Sequence, residues 1–188
     1  MILFINACVR SCSRTKRLAD SLLACLRDEA KEVRVWECDF PAMEEETLRR
    51  RDELAHLEAF NDPLLAPAAA FAAADTIVIA APLWDLSFPA CLKRYLEQIN
   101  VVGVTFCYNE RGQAEGLCKA KKLIYVTTAG GTNEPTAYGY GYVKALAETF
   151  YGIRQVELIQ ASGLDLEGAD PEAILQASMA DVRRRFGQ

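Results

Sequence analysis

The sequence predicts a doubly wound α/β sandwich, a five-stranded parallel sheet of order 2-1-3-4-5 with helices on both faces. Three observations predict it. Short β-rich runs alternate with helical stretches along the chain. One run, Thr76-Ile77-Val78-Ile79-Ala80-Ala81, is apolar throughout, as a strand covered on both faces must be. No repeat or low-complexity segment interrupts the pattern, so the 188 residues read as one domain, 1–188.

Met1 to Ile5 reads as the first strand. From Thr15 to Ala30, Leu18, Leu22, Cys25, Leu26 and Ala30 fall at helical spacing and form one stripe. Lys31 to Cys38 follows as a strand, with Val33, Val35 and Trp36 alternating around charged positions. Residues 42 to 60 read as a solvated surface helix, with Glu45–Arg49 and Glu46–Arg50 as i,i+4 pairs. After Asn61-Asp62-Pro63 and Pro67, the alanine-rich stretch to Ala74 completes another helix.

Pro89 suits the first turn of a helix whose buried face is Leu92, Tyr95, Leu96 and Ile99. Residues 101 to 118, with Asn109, Gly112 and Gly116, suggest a hairpin or excursion. Leu123 to Thr128 is the fourth strand of the sheet. A helix over Tyr140 to Tyr151, a strand over Gln155 to Gln160 and a helix from Pro171 complete the chain. The last helix turns Leu175, Met179, Val182 and Phe186 inward.

Composition narrows the function. The net charge of -5 lacks the excess of basic residues that a nucleic-acid groove needs. No apolar run is long enough to span a bilayer, and the N-terminus carries no basic region or cleavage site, so a cytoplasmic protein is expected. The seven cysteines then read as reduced thiols, and none forms C-x-x-C. Cys8 and Cys12, four apart, read either as redox-active groups or as small buried side chains. The lone His56 has no evident metal partner, so no metal is expected.

In a sheet of this order the ligand crevice lies at the carboxyl ends of strands one and three. That directs attention to three loops. The first, Asn6 to Thr15, leaves a strand and opens a helix, where amides and the hydroxyls of Ser11, Ser13 and Thr15 can bind an anion. Arg10, Arg14 and Lys16 can add charge-assisted bonds. Without G-x-G-x-x-G or a P-loop, a monophosphate fits better than a dinucleotide, though the same residues can equally cap the helix. The second loop, Pro82 to Pro89, offers Trp84 either to a flat heterocycle or to helix packing. The third, Thr127 to Thr132, holds Gly130 and Gly131, which permit close backbone approach.

The chain resembles the flavodoxin-like NAD(P)H-dependent quinone reductase and FMN azoreductase family. The resemblance is carried by Ser13-Arg14-Thr15 before Leu18, by Ile77 to Trp84, and by Leu92-Lys93-Arg94-Tyr95. It continues through Gly103-Val104-Thr105-Phe106, Gly116-Leu117, and Lys121-Lys122 leading to Gly130-Gly131.

The resemblance implies an FMN-dependent oxidoreductase with NADH or NADPH as donor and a quinone, azo compound or similar small molecule as acceptor, working by a ping-pong mechanism. It implies a homodimer with the flavin near the subunit boundary, and no nucleic-acid or membrane partner. Ser11, Ser13, Arg14 and Thr15, with Arg10 beside them, would meet the phosphate. Pro82, Leu83, Trp84, Asp85 and Leu86 would run along the isoalloxazine, and Thr128, Ala129, Gly130 and Gly131 would meet its pyrimidine edge. No catalytic side chain is assigned, because the flavin carries the chemistry.

Asp85 departs from the asparagine that relatives often carry. An ionised carboxylate cannot donate to a flavin carbonyl, so the backbone N–H is expected to make that contact. Residues 42 to 70 read as shorter than the matching region of many relatives. Tyr138, Tyr140 and Tyr142 read either as acceptor-site or as packing residues. A flavodoxin-like electron carrier and a flavin-free regulatory module of the same fold are the rival readings.

Overall fold

The computed structural model describes residues 1–132 and 136–187. Five parallel strands form the main sheet: β1 (Ile2–Asn6), β2 (Ala30–Arg34), β3 (Thr76–Ala80), β6 (Lys122–Thr128) and β7 (Gln155–Ala161). A separate antiparallel hairpin supplies β4 (Phe106–Tyr108) and β5 (Ala114–Gly116). The sheet order is β2-β1-β3-β6-β7, which is the expected 2-1-3-4-5 once the hairpin is set aside.

Strand alternation sorts the core into two layers. Leu3, Ile5, Ile77, Ile79, Leu123 and Tyr125 face α3 (Ala66–Ala73), α4 (Ala90–Ile99) and α5 (Tyr142–Leu146). Ile2, Phe4, Val78, Ala80, Ile124 and Val126 face α1 (Arg14–Leu26) and α6 (Pro171–Phe186). Wider π-helical turns, Ala137–Gly141 and Ala147–Tyr151, extend α5 at both ends. The surface helix α2 (Glu45–His56) buries no residue completely.

Several local expectations give way to tertiary constraints. Helix α1 ends at Leu26 because Arg27 turns left-handed, with φ 52°. Ala30 therefore begins β2 opposite Ile2 and does not continue the helical stripe. Strand β2 itself stops at Arg34, and Val35 to Glu37 form a turn closed by Glu37 N–H donating to Arg34 O. Trp36 is accordingly outside the strand. On α2, Arg49 pairs forward with Glu53, and Arg50 reaches Asp62 at 3.3 Å, so the expected partners Glu45 and Glu46 are replaced. Pro89 caps α4 and precedes its first turn.

Helices α1 and α6 are joined by a two-pronged ion pair. Arg17 donates to Glu172 Oε1 at 2.7 Å and Oε2 at 2.9 Å, while Gln176 Nε2 donates to Oε1 at 2.8 Å. The hydrogen bond from Arg17, then that from Gln176, lowers the Glu172 pKa from 4.5 to about 2. A carboxylate depressed on folding contributes stability above its unfolded pKa and loses it as pH falls through the folded one. In urea titrations, wild type should exceed Glu172→Gln above pH 4.5, and the gap should close as pH falls toward 2. A gap independent of pH would show that lost packing, not charge, separates them. Because the pair is exposed, the difference is small and shrinks with salt.

Candidate cofactor site

The parallel register brings the carboxyl ends of β1, β3 and β6 to one edge. Hydrogen bonding continues past the strands, with Ala7 N–H donating to Ala80 O at 2.8 Å and Leu83 N–H to Thr128 O at 3.1 Å. Ala129 N–H likewise donates to Ala161 O at 2.9 Å. The loops leaving this edge are thus anchored by backbone bonds before they diverge. Between them lies a cleft of about 390 Å³, within the range of small-ligand sites.

The first loop contributes Arg10, Ser13, Arg14 and Thr15 to the cleft wall, the second Pro82, Leu83 and Trp84, and the third Thr128, Ala129 and Gly130. Ser11, Asp85, Leu86 and Gly131 lie outside the lining. Val9, Leu164 and Asp165, which no sequence motif marks, also line it, as do Cys8 and Cys12.

At one end the cleft meets the start of α1. Ser13 is the N-cap, its Oγ accepting from Lys16 N–H at 3.3 Å. The first-turn amides beyond it have no intrahelical acceptor, and the helix dipole favours an anion there. The hydroxyls of Thr15 and Thr128 lie 2.6 Å apart and are buried, tying the first loop to the third. Lys16 is turned away, pairing with Asp20 at 2.5 Å and lying over Phe4. Arg14 stays at the cleft, but its Nη2 donates to Asp165 Oδ1 at 2.8 Å and its Nη1 to Leu164 O at 3.2 Å.

The other wall is aromatic. Trp84 is 38% exposed, and the Arg10 guanidinium sits 5.9 Å from the centre of its ring. Trp84 and Ser87 exchange both backbone hydrogen bonds, at 3.0 and 2.8 Å, around Asp85 and Leu86. Those two residues have φ of 50° and 68°, the left-handed pair of a type I′ turn. Aspartate tolerates that conformation, whereas a leucine there stores about 1–2 kcal/mol of strain. Ser87 Oγ donates to Tyr138 O at 2.7 Å, fastening the turn to the helical segment after β6.

Of the three tyrosines, Tyr140 donates to Val156 O at 3.0 Å and Tyr142 packs on Phe88, leaving Tyr138 open at 62% exposure. Burial pushes the Cys8 thiol up to about 11, and its Sγ lies 3.6 Å from Ala80 O. At neutral pH it remains protonated and is a poor nucleophile. Cys12 is exposed at the rim.

This arrangement suits a ligand with an anion at one end and a flat ring at the other. The open amides and hydroxyls at α1 fit a phosphate, and the exposed face of Trp84 fits a heterocycle. Such a cleft at the strand-order reversal of a doubly wound sheet defines a protein of the flavodoxin-like class, and the family model described as flavodoxin-like fold matches residues 1–186.

An FMN-dependent NADH:quinone oxidoreductase of Clostridium beijerinckii is 40% identical over 124 residues, 65% of this chain and 62% of the relative's length. One of the same name from Clostridium perfringens is 34% identical over 181 residues, covering 91% of this chain and 90% of its own. The chain belongs to this flavodoxin-like oxidoreductase family. An FMN-dependent NADH-azoreductase of Bacillus anthracis, solved in complex with FMN, superposes with a TM-score of 0.80 over 98% of this chain and 96% of that one. At 22% identity that likeness bears on the fold alone.

Proposed function

We propose that the chain holds FMN in this cleft and passes electrons from NADH to a quinone, an azo compound or a similar small acceptor. The observation that carries the reading is the pairing of an anion-binding helix start with an exposed tryptophan wall in one cleft. The names of the C. beijerinckii and C. perfringens relatives support it.

When bound, FMN supplies the two-electron chemistry, accepting reducing equivalents from the nicotinamide and releasing them to the acceptor. The chain's own residues bind and orient. Ser13 Oγ, Thr15 Oγ1 and the first amides of α1 hold the phosphate, with Arg10 and Arg14 supplying charge. Ser11 would stand by the phosphate, and Pro82, Leu83 and Trp84 would border the ring, with Asp85 and Leu86 beside them. The Thr128 to Gly131 segment would meet its polar edge through the N–H groups of Gly130 and Gly131, Ala129 N–H being bound to Ala161 O, and such donors stabilise negative charge without a titrating side chain. The exchange would be ping-pong, donor and acceptor entering the same cleft in turn, with NADPH as an alternative donor.

Exposed Trp84, Leu86 and Tyr138 suit a homodimer whose second subunit closes the flavin from above. No helix among the described residues is long and apolar enough to cross a membrane, in keeping with a single domain acting in the cytoplasm.

Anaerobic titration tests the reading. The purified protein should show a flavin spectrum that NADH bleaches and a quinone restores. A colourless protein that takes up no added FMN would overturn it. Bound flavin that neither NADH nor NADPH bleaches would indicate a carrier serving protein partners.

A further inference from the structure

The guanidinium offered to the phosphate already has an oxyanion partner. Arg14 and Asp165 are 151 residues apart, yet both line the cleft, and the Arg14 Nη2 to Asp165 Oδ1 bond is 2.8 Å. Arg14 is fixed by its place at the start of α1. Asp165 is brought over the third loop by its own N–H, which donates to Gly130 O at 3.1 Å. Gly130 leaves room for this approach, since a Cβ there would stand 2.6 Å from Asp165 Oδ2. The carboxylate therefore sits at the phosphate end of the cleft, held between two of its walls.

A guanidinium presents the same planar fork to carboxylate and to phosphate, so the two compete for it. The phosphate carries about −1.5 to −2 charges at neutral pH, so a carboxylate remaining beside it is repelled. The side chains differ in freedom: Asp165 is 64% exposed and Arg14 35%, which makes Asp165 the one able to swing clear.

The geometry points to Asp165 as a built-in stand-in for the cofactor's phosphate, which competes with that phosphate for Arg14 and limits how tightly FMN is retained. This inference rests on the FMN reading above. It assigns the residue a role in cofactor affinity and release and none in electron transfer. Removing the competing charge should strengthen retention of the phosphorylated flavin about two- to fivefold, the scale of a partly exposed ion pair.

The test uses flavin-loaded protein diluted to a series of concentrations, with released flavin read by recovery of its fluorescence. Asp165→Asn and Asp165→Ser should each retain FMN about two- to fivefold more tightly than wild type and release it more slowly. Riboflavin, which lacks the phosphate, should be held equally by all three. Adding Arg14→Gln to Asp165→Asn should abolish the gain.

Unchanged or weaker FMN retention in both single variants, each folded by circular dichroism, would overturn the inference and mark Asp165 as a support for Arg14. An equal gain for riboflavin would overturn it too. Wild-type protein that binds no flavin would sink the functional reading along with this one. Wild-type retention with no gain in the variants would sink this one alone.

Discussion

Replacing Ser13 by alanine is expected to weaken FMN retention about 10- to 100-fold while changing riboflavin retention about threefold at most, the scale of a lost hydrogen bond to a charged group. The Ser13 hydroxyl works in two directions. Its lone pair accepts from Lys16 N–H and caps α1, while its proton, which faces the Cys8 thiol, can be donated instead into the cleft that the residue lines. A phosphate is the partner for which that proton counts most, because charge-assisted bonds are about twice as strong as neutral ones.

Losing the cap alone costs about 1 kcal/mol of stability, and glycine at an N-cap restores most of it. Ser13→Gly therefore separates the roles: it should fold nearly as well as wild type yet lose FMN as Ser13→Ala does. If both variants lost FMN and riboflavin in equal measure, the hydroxyl would be serving only the helix. Fluorescence-monitored dilution and thermal unfolding give the two readings independently.

Gly116→Ala is expected to destabilise the protein by about 3 kcal/mol or more, beyond the usual cost of an added methyl in a packed site. Gly116 ends β5 opposite Phe106. A Cβ there would run into the backbone of Tyr151 and Gly152, which cannot yield as a flexible side chain does. Gly152 has φ 71° and closes the helical segment before β7, so the approach joins two backbones, each requiring glycine.

Relief would require the β4–β5 hairpin to lift away, exposing Phe106, which packs against Phe150 at 4.8 Å between ring centres. Chemical denaturation measures the loss, and a change under about 1 kcal/mol would show that the hairpin yields more easily than this packing implies. Because the hairpin does not line the cleft, any folded Gly116→Ala should still hold FMN.

The parts of the fold written in local pattern were legible in the sequence. The fully buried run of β1 and the unbroken apolar run of β3 identify the sheet's centre, and their place in the chain gives its order. Helix α4 buries Leu92, Tyr95, Leu96 and Ile99, the four positions its spacing selects.

What the sequence did not reveal depends on distant partners. Ala30 continues a helical stripe in sequence, but pairing with Ile2 claims it for β2. The charges of α2 have several partners of nearly equal worth, so spacing alone cannot choose Glu53 and Asp62 over Glu45 and Glu46.

Three of the cleft's loops follow from strand order. The fourth, with Leu164 and Asp165, enters because β7 pairs with β6 as far as Ala161 and Thr128, carrying the next residues over Gly130. A glycine at position 163 with φ 79°, donating its N–H to Gly131 O, completes that path. No spacing rule links it to Arg14.

The common level at which β1, β3 and β6 end also divides the molecule between conservatism and novelty. Loops rooted in one continuous ladder must keep their first residues if the sheet is to stay closed. Residues beyond those roots that touch neither the cleft nor the core are at liberty to lengthen or change. Segments remote from the ladder and the core, such as the outer face of α2, can therefore be rewritten without disturbing the cradle. A lineage of such chains would diverge first in what it reduces and last in what it holds.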